Sequence, residues 1–139
     1  MSDWLREKAL DNEGRASRTY VITTNNNVVI AYYCLAFGCI THAEAVGKVK
    51  RNMPNPIPAM LVGRLAVDRK WKGGGLGRGM LRDAVIRTLE ASKVAGLQAL
   101  FVHAISEDAK NFYLKCGLLQ SPINEMTLMI TIKDAQAAL

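Results

Sequence analysis

The sequence predicts a mixed α/β fold, a single sheet with helices packed on it. Three observations carry that prediction. Two β-branched and aromatic runs, residues 19–24 (TYVITT) and 28–35 (VVIAYYCL), flank Asn25, Asn26 and Asn27. A strand-length apolar run at residues 60–67 (MLVGRLAV) leads through a glycine-rich turn into a helical repeat. Two further apolar runs, residues 99–104 (ALFVHA) and 126–132 (MTLMITI), enclose another amphipathic stretch.

Residues 4–10 read as the end of a short amphipathic helix, broken by Asp11-Asn12-Glu13-Gly14. Residues 19–24 and 28–35 then form a β-hairpin, because asparagines tolerate the left-handed geometry of its turn. Residues 43–55 are polar and basic and run into Pro54, Pro56 and Pro58. They read as a connection with one helical turn. After the strand at 60–67, Leu76, Met80, Leu81, Ala84, Val85 and Leu89 fall on one helical stripe, and Gly96 is placed to end that helix. Following the strand at 99–104, Ser106 is an N-cap, with Glu107 and Asp108 where the helix dipole favours acids. Ala109, Phe112, Tyr113 and Cys116 share one face, and Gly117 closes the helix. The strand at 126–132 and a weakly helical tail at 133–139 complete an order of helix, hairpin, strand, helix, strand, helix, strand.

At 139 residues the chain is expected to be one domain, residues 1–139. No apolar stretch is long enough to span a bilayer, and the first fourteen residues lack a secretory core, so a cytoplasmic location is expected. Cys34, Cys39 and Cys116 form no CxxC pair, which argues against a zinc site or a disulfide framework. They read as small buried or half-buried hydrophobes. The net charge is +6, and between Arg64 and Lys93 eight basic residues face three acids. Positive charge gathered there suits a polyanionic ligand.

The chemistry centres on Lys72-Gly73-Gly74-Gly75-Leu76-Gly77-Arg78. Glycines let the backbone turn tightly and bring bare amides to a ligand, and the loop opens a helix whose free N–H groups attract phosphate. Lys72 and Arg78 add point charges. This is a pyrophosphate cradle of neither familiar kind. No Gly-Lys-Ser/Thr is present for a P-loop, and Met80 stands where a dinucleotide fingerprint needs its last glycine.

The run Lys72-Gly73-Gly74-Gly75-Leu76-Gly77 resembles the GNAT acetyltransferase motif [Q/R]-x-x-G-x-[G/A], with Lys72 in place of Gln or Arg. Residues 109–118 (AKNFYLKCGL) are similar to the family's A-x-x-F-Y-x-x-x-G-F, with Leu118 replacing the final Phe. The resemblance extends to the GNAT toxins of toxin–antitoxin operons, the TacT and AtaT group. It runs through Trp4-Leu5, Ala16 to Val21, Tyr32 to Ala36, Leu61 to Asp68 and Leu100 to Ala104. The implied fold is the GNAT fold, a mixed, mostly antiparallel central sheet flanked by helices. Relatives begin with an extra strand, so the first strand is expected to be missing here and the hairpin edge to be bare.

The resemblance implies acetyl-coenzyme A as the cofactor. Leu65, Ala66 and Val67 would offer backbone groups to pantetheine and the thioester oxygen. Lys72, Gly73, Gly74, Gly75, Leu76, Gly77, Arg78 and Ser106 would complete the cofactor site, and no metal is expected. Tyr113 matches the family's general acid, which protonates the departing thiolate. No general base stands out. Asp68, Glu107 and Asp108 are explained by capping or solvation, and His103 by a hydrogen bond within a buried strand. An α-amine near pKa ~8 needs less help from a base than a lysine near ~10.4, so the site leans towards α-amino acceptors.

Three readings follow. In the first, a toxin acetylates the α-amine of aminoacyl-tRNA, is neutralised by a ribbon-helix-helix antitoxin, and works as a homodimer. Lys48, Lys50, Arg51, Arg82, Arg87 and Lys93 would then steer tRNA. In the second, the acceptor is a small-molecule amine or a protein N-terminus. The third is a catalytically silent coenzyme A-binding module.

Overall fold

The computed structural model describes residues 16–139. The helix expected at 4–10, and any strand preceding it, lie outside the described residues. The first two strands, β1 (Arg18–Thr23) and β2 (Val29–Ile40), pair antiparallel. Their turn is held by Thr24 N–H on Val28 O and Asn27 N–H on Thr24 O, with Asn27 at φ 62°. The asparagine run thus does what its left-handed tolerance predicts.

Strand β2 runs five residues past the expected Leu35. A long antiparallel partner, β3 (Ile57–Val67), pairs residues 57–61 with residues 36–40. That ladder overrides the weak strand preference of Ala36 and Gly38. The prolines mark the start of β3 and do not delay it to Met60. Pro58 lacks an N–H, but its carbonyl accepts from Gln98 N. Between β2 and β3 lies the one expected helical turn, α1 (Gly47–Lys50).

A short 3-10 turn (Arg69–Trp71) leads to α2 (Leu76–Ser92). Met80, Leu81, Ala84, Val85 and Thr88 are its buried residues. The helix stops before Gly96, which therefore does not terminate it. Beyond Ala91 the apolar stripe runs out, and Val94 is 90% exposed, so nothing holds a further turn. Then come β4 (Ala99–His103), α3 (Glu107–Lys115), β5 (Leu119–Gln120), β6 (Thr127–Thr131) and α4 (Ile132–Ala138). The exposed pair β5 was not expected. It exists only through its pairing with Leu128 and Met129.

Among the described residues the sheet order is β1-β2-β3-β4-β6-β5, with β1 at an edge. All pairs are antiparallel except β3 with β4. One face carries Tyr33, Leu35, Met60, Val62, Leu100, Val102, Leu128 and Ile130 in a core shared with the buried residues of α2, α3 and α4. The other holds a smaller cluster of Ile40, Val49, Ile57, Phe101 and Met129. Each fully buried Leu, Ile or Met contributes about 1.5–3 kcal/mol by leaving water. Cys34 and Cys116 are buried as expected, whereas Cys39 is exposed. It lies on the same side of β2 as Phe37, which is 70% exposed, where the buried row ends at Leu35. Among the described residues no helix is long and apolar enough to cross a membrane.

Candidate active site

The site is made by a failure of two parallel strands to stay together. β3 and β4 are in register only at Ala59–Leu61 against Ala99–Phe101. Past that point β3 continues to Val67 against β2 alone. The register of β2 and β3 shifts between Tyr32 and Cys34, which inserts an extra residue into β3. There Arg64 takes φ 58°, a left-handed geometry uncommon for any residue but glycine. The bulge bends β3 away, and a cleft of about 600 Å³ opens between it and the end of β4. That volume is within the range of ordinary small-molecule sites.

Asp68 N–H donates to Ile30 O at 2.7 Å, so the residue before it, Val67, directs its own backbone groups away from β2. Leu65 lies in the bulge itself, between the paired residues Ala66 and Gly63. Both line the cleft with Ala66. Their amides and carbonyls are free of β4 and available to an amide-rich ligand chain.

Two helices begin at this cleft, because β3 and β4 are parallel and each ends there. Their N-termini differ in charge. Ser106 caps α3, its Oγ accepting from Ala109 N at 3.1 Å, and Glu107 and Asp108 occupy the first turn. Those acids already neutralise the positive end of α3. The first turn of α2 has no acid and no side-chain cap. Gly79 N–H makes the first helical bond, to Gly75 O at 3.0 Å, so the amides of Leu76, Gly77 and Arg78 lack intrahelical partners. An anion therefore belongs at α2.

Gly73 and Gly75 stand at φ 85° and 84°, which only glycine adopts without penalty. Gly77 matters for another reason. A Cβ there would lie 3.3 Å from Phe112 Cζ, so its bareness lets α2 start against α3. Lys72, Gly73, Gly75, Leu76, Gly77 and Arg78 all line the cleft, as does Ser106. Gly74 is absent from the lining and only shapes the turn. The Arg78 guanidinium is turned aside, donating to Ala138 O at 2.9 Å and lying 3.9 Å from Cys116 Sγ. What Arg78 offers at the loop is its backbone N–H.

Tyr113 lies on the far wall, 6% exposed, its ring edge-on to Phe112 at 5.2 Å. Burial, and secondarily the nearby Cys116 thiol, push its phenol up to about 12. Cys116 is itself raised by burial, with Arg78 opposing. The phenol therefore holds its proton at any ordinary pH and has a cleft to give it to.

Several lining residues were not among those expected. Trp71 and Ile105, the latter 93% exposed, stand at the cleft. A lone Trp beside the glycines was a usable signal, but the bulge at Arg64 had none. His103 is hydrogen-bonded as expected, Nδ1 to Thr127 Oγ1 at 2.9 Å, yet it is exposed and lines the cleft. Of the six residues expected to steer tRNA, Lys48, Arg87 and Lys93 sit in ion pairs with Asp134, Asp83 and Glu90. Lys50, Arg51 and Arg82 are exposed. Among the described residues no group of three His, Cys, Asp or Glu is placed to hold a metal ion.

A family model described as an acetyltransferase (GNAT) domain matches residues 15–117. The chain is 42% identical over 137 residues to a tRNA-acetylating toxin of Mycobacterium tuberculosis (strain ATCC 25618 / H37Rv), covering 99% of this chain and 82% of that protein. It superposes on AtaT complexed with acetyl-methionyl-tRNAfMet at a TM-score of 0.87 and 28% identity, over 96% of this chain and 82% of the other. A mutant AtaT bound to the C-terminus of the antitoxin AtaR and acetyl-CoA matches with a TM-score of 0.72 and 29% identity, over 87% and 70%.

Proposed function

This chain belongs to the GNAT family and is an N-acetyltransferase, and from that premise we propose that it acetylates the α-amine of aminoacyl-tRNA with acetyl-coenzyme A, blocking translation as a toxin. One observation carries the donor side. The cleft joins an acid-free helix start, unpaired β3 backbone and a buried, protonated tyrosine. The acceptor side draws on the 42% identical tRNA-acetylating toxin and on the positive charge around residues 64–93.

The groups of the cleft fit the cofactor. Free amides of Leu76, Gly77 and Arg78 meet the pyrophosphate, with Gly73 and Gly75 keeping side chains out of its way. Lys72 adds charge at the rim, Gly74 holds the turn, and Ser106 fixes the opposite helix. Backbone groups of the stretch from Leu65 to Val67, Val67 above all, would align the pantetheine, and an N–H there would stabilise charge developing on the thioester oxygen. Bound acetyl-coenzyme A supplies an activated acetyl thioester. Tyr113 then donates its proton to the leaving sulfur.

On this reading residues 1–139 act as one domain, in the cytoplasm and as a homodimer. A ribbon-helix-helix antitoxin is the neutralising partner, in line with the antitoxin-bound AtaT. Mass analysis of charged tRNA after incubation with the protein and acetyl-coenzyme A should show a mass gain of one acetyl group on the aminoacyl end. Acetylation of protein lysines or free small amines with none on aminoacyl-tRNA would replace this reading.

A further inference from the structure

We propose that His103 accepts the proton of the attacking amine, an assignment that rests on the acyl-transfer reading above. His103 is the last residue of β4, on the strand that faces β3 across the cleft. Its ring is exposed on the cleft side and is held from two directions. Thr127 Oγ1, on a residue only 2% exposed, lies 2.9 Å from Nδ1, and the Phe101 ring packs edge-on at 5.5 Å. These two contacts hold the ring plane. The proposal requires the tautomer in which Nδ1–H donates to Thr127 Oγ1, which leaves the lone pair on Nε2. A base must be positioned in this way before its strength matters.

The other charged and titratable groups lining the cleft are Arg64 on β3, Lys72 in the loop, Arg78 on α2, and Asp108 and Tyr113 on α3. The cations cannot accept a proton, and Tyr113 begins the cycle protonated. Asp108 is the competitor. It sits in the first turn of α3 beside Glu107, at the start of the helix. As classes, an imidazole near ~6.5 matches an α-amine near ~8 far better than a carboxylate near ~4.

The step balances as follows. The neutral amine nitrogen attacks the thioester carbonyl carbon, forming the C–N bond. The surplus proton on that nitrogen passes to His103 Nε2 and on to water. The C–S bond breaks, and the sulfur leaves with the Tyr113 proton, which solvent restores. The products are an amide and a free thiol, with no net change in protons.

The test uses His103→Asn, which can keep the bond to Thr127 but has nothing at the Nε2 position. Wild type and variant are compared for turnover of aminoacyl-tRNA against pH, and for acetyl-coenzyme A binding by calorimetry. General acid–base catalysis is worth ~10²–10⁴-fold, so kcat should fall about 100-fold with cofactor affinity within about 2-fold. Turnover within about 2-fold of wild type, or cofactor binding lost together with turnover, overturns the assignment. A wild type without activity on aminoacyl-tRNA strikes at the acceptor instead, and the same comparison on an amine it does accept then decides for or against His103. A second readout needs no turnover. Only two histidines are present, so long-range ¹H–¹⁵N spectra report the tautomer of each, with His103→Asn identifying the signal. Nδ1–H supports the proposal, and a neutral ring protonated at Nε2 refutes it.

Discussion

Tyr113 is buried enough to keep its proton and open enough to deliver it. Raised to about 12, chiefly by burial, the phenol is a weak acid towards water but still a competent donor to a thiolate forming against it. Replacing Tyr113 by Phe deletes one oxygen and preserves the packing against Phe112. The expected result is a loss in kcat of about 100-fold or more, with acetyl-coenzyme A affinity changed by less than about 3-fold. Steady-state kinetics and calorimetry on the same sample check this. At the same scale, the structure separates two roles that the sequence runs together in Arg78. Its amide faces the loop while its guanidinium holds Ala138 O, so charge near a phosphate motif is not by itself a phosphate contact. The glycine turn was legible because its chemistry is intrinsic to residue type and spacing, whereas the role of Tyr113 was implied only by the family resemblance. Where the Arg78 side chain points was not, because its acceptor lies sixty residues away.

At the scale of elements, the loop and α2 form one device. The glycines at 73 and 75 place the helix start beside the cleft, and the lack of acids in the first turn leaves its dipole uncompensated. Gly75→Ala puts a Cβ where φ is 84°. Left-handed geometry costs an L-residue about 1–2 kcal/mol, so the loop should relax away from this conformation. The expected outcome is cofactor binding weakened by about 10-fold and a thermal midpoint lowered by several degrees, read by calorimetry and circular dichroism. The strand and helix order was readable from periodicity, as was the hairpin turn. The extent of β2, the early end of α2 and the existence of β5 were not. Each depends on a partner strand or on a stripe of core that continues or stops, and local preference does not report either.

Across the whole molecule, stability should be flat around neutrality and fail on the alkaline side. Tyr113 and Tyr33 both ionise above the ordinary 10 in the folded chain, Tyr113 at about 12. For Tyr33 burial is the main cause, helped by its hydrogen bond to Asp83. The unfolded chain loses these protons first, so their contribution is complete below pH 10 and declines as pH climbs through the folded values. Asp83 works in the opposite sense. Burial alone would raise it, but bonds from Tyr33 and Arg87 outweigh that and hold it below its ordinary 3.8. Its share is present above that value and fades as pH falls through the lower folded one. Both partly exposed ends of the Asp83–Arg87 pair are screened by solvent, so the acid effect should be the smaller. Scanning calorimetry should show a thermal midpoint nearly constant from about pH 5 to about pH 9 and falling above 10. Tyr33→Phe should flatten that fall.

By itself the sequence determined that this chain builds a sheet with helices on it and that a glycine loop opens one helix; that Phe112-Tyr113 belongs to an acetyltransferase motif came from resemblance. The first two properties rest on short-range preferences and on residue chemistry, which travel with the residue. Only the tertiary structure decided that there is a cleft at all. It arises because β3 and β4 part after three registered pairs and Arg64 adopts a glycine-like conformation in the bulge, a competition between neighbouring strands for one backbone. The same long-range pairing set Thr127 beside His103 and left a strand residue expected to be buried exposed at the cleft.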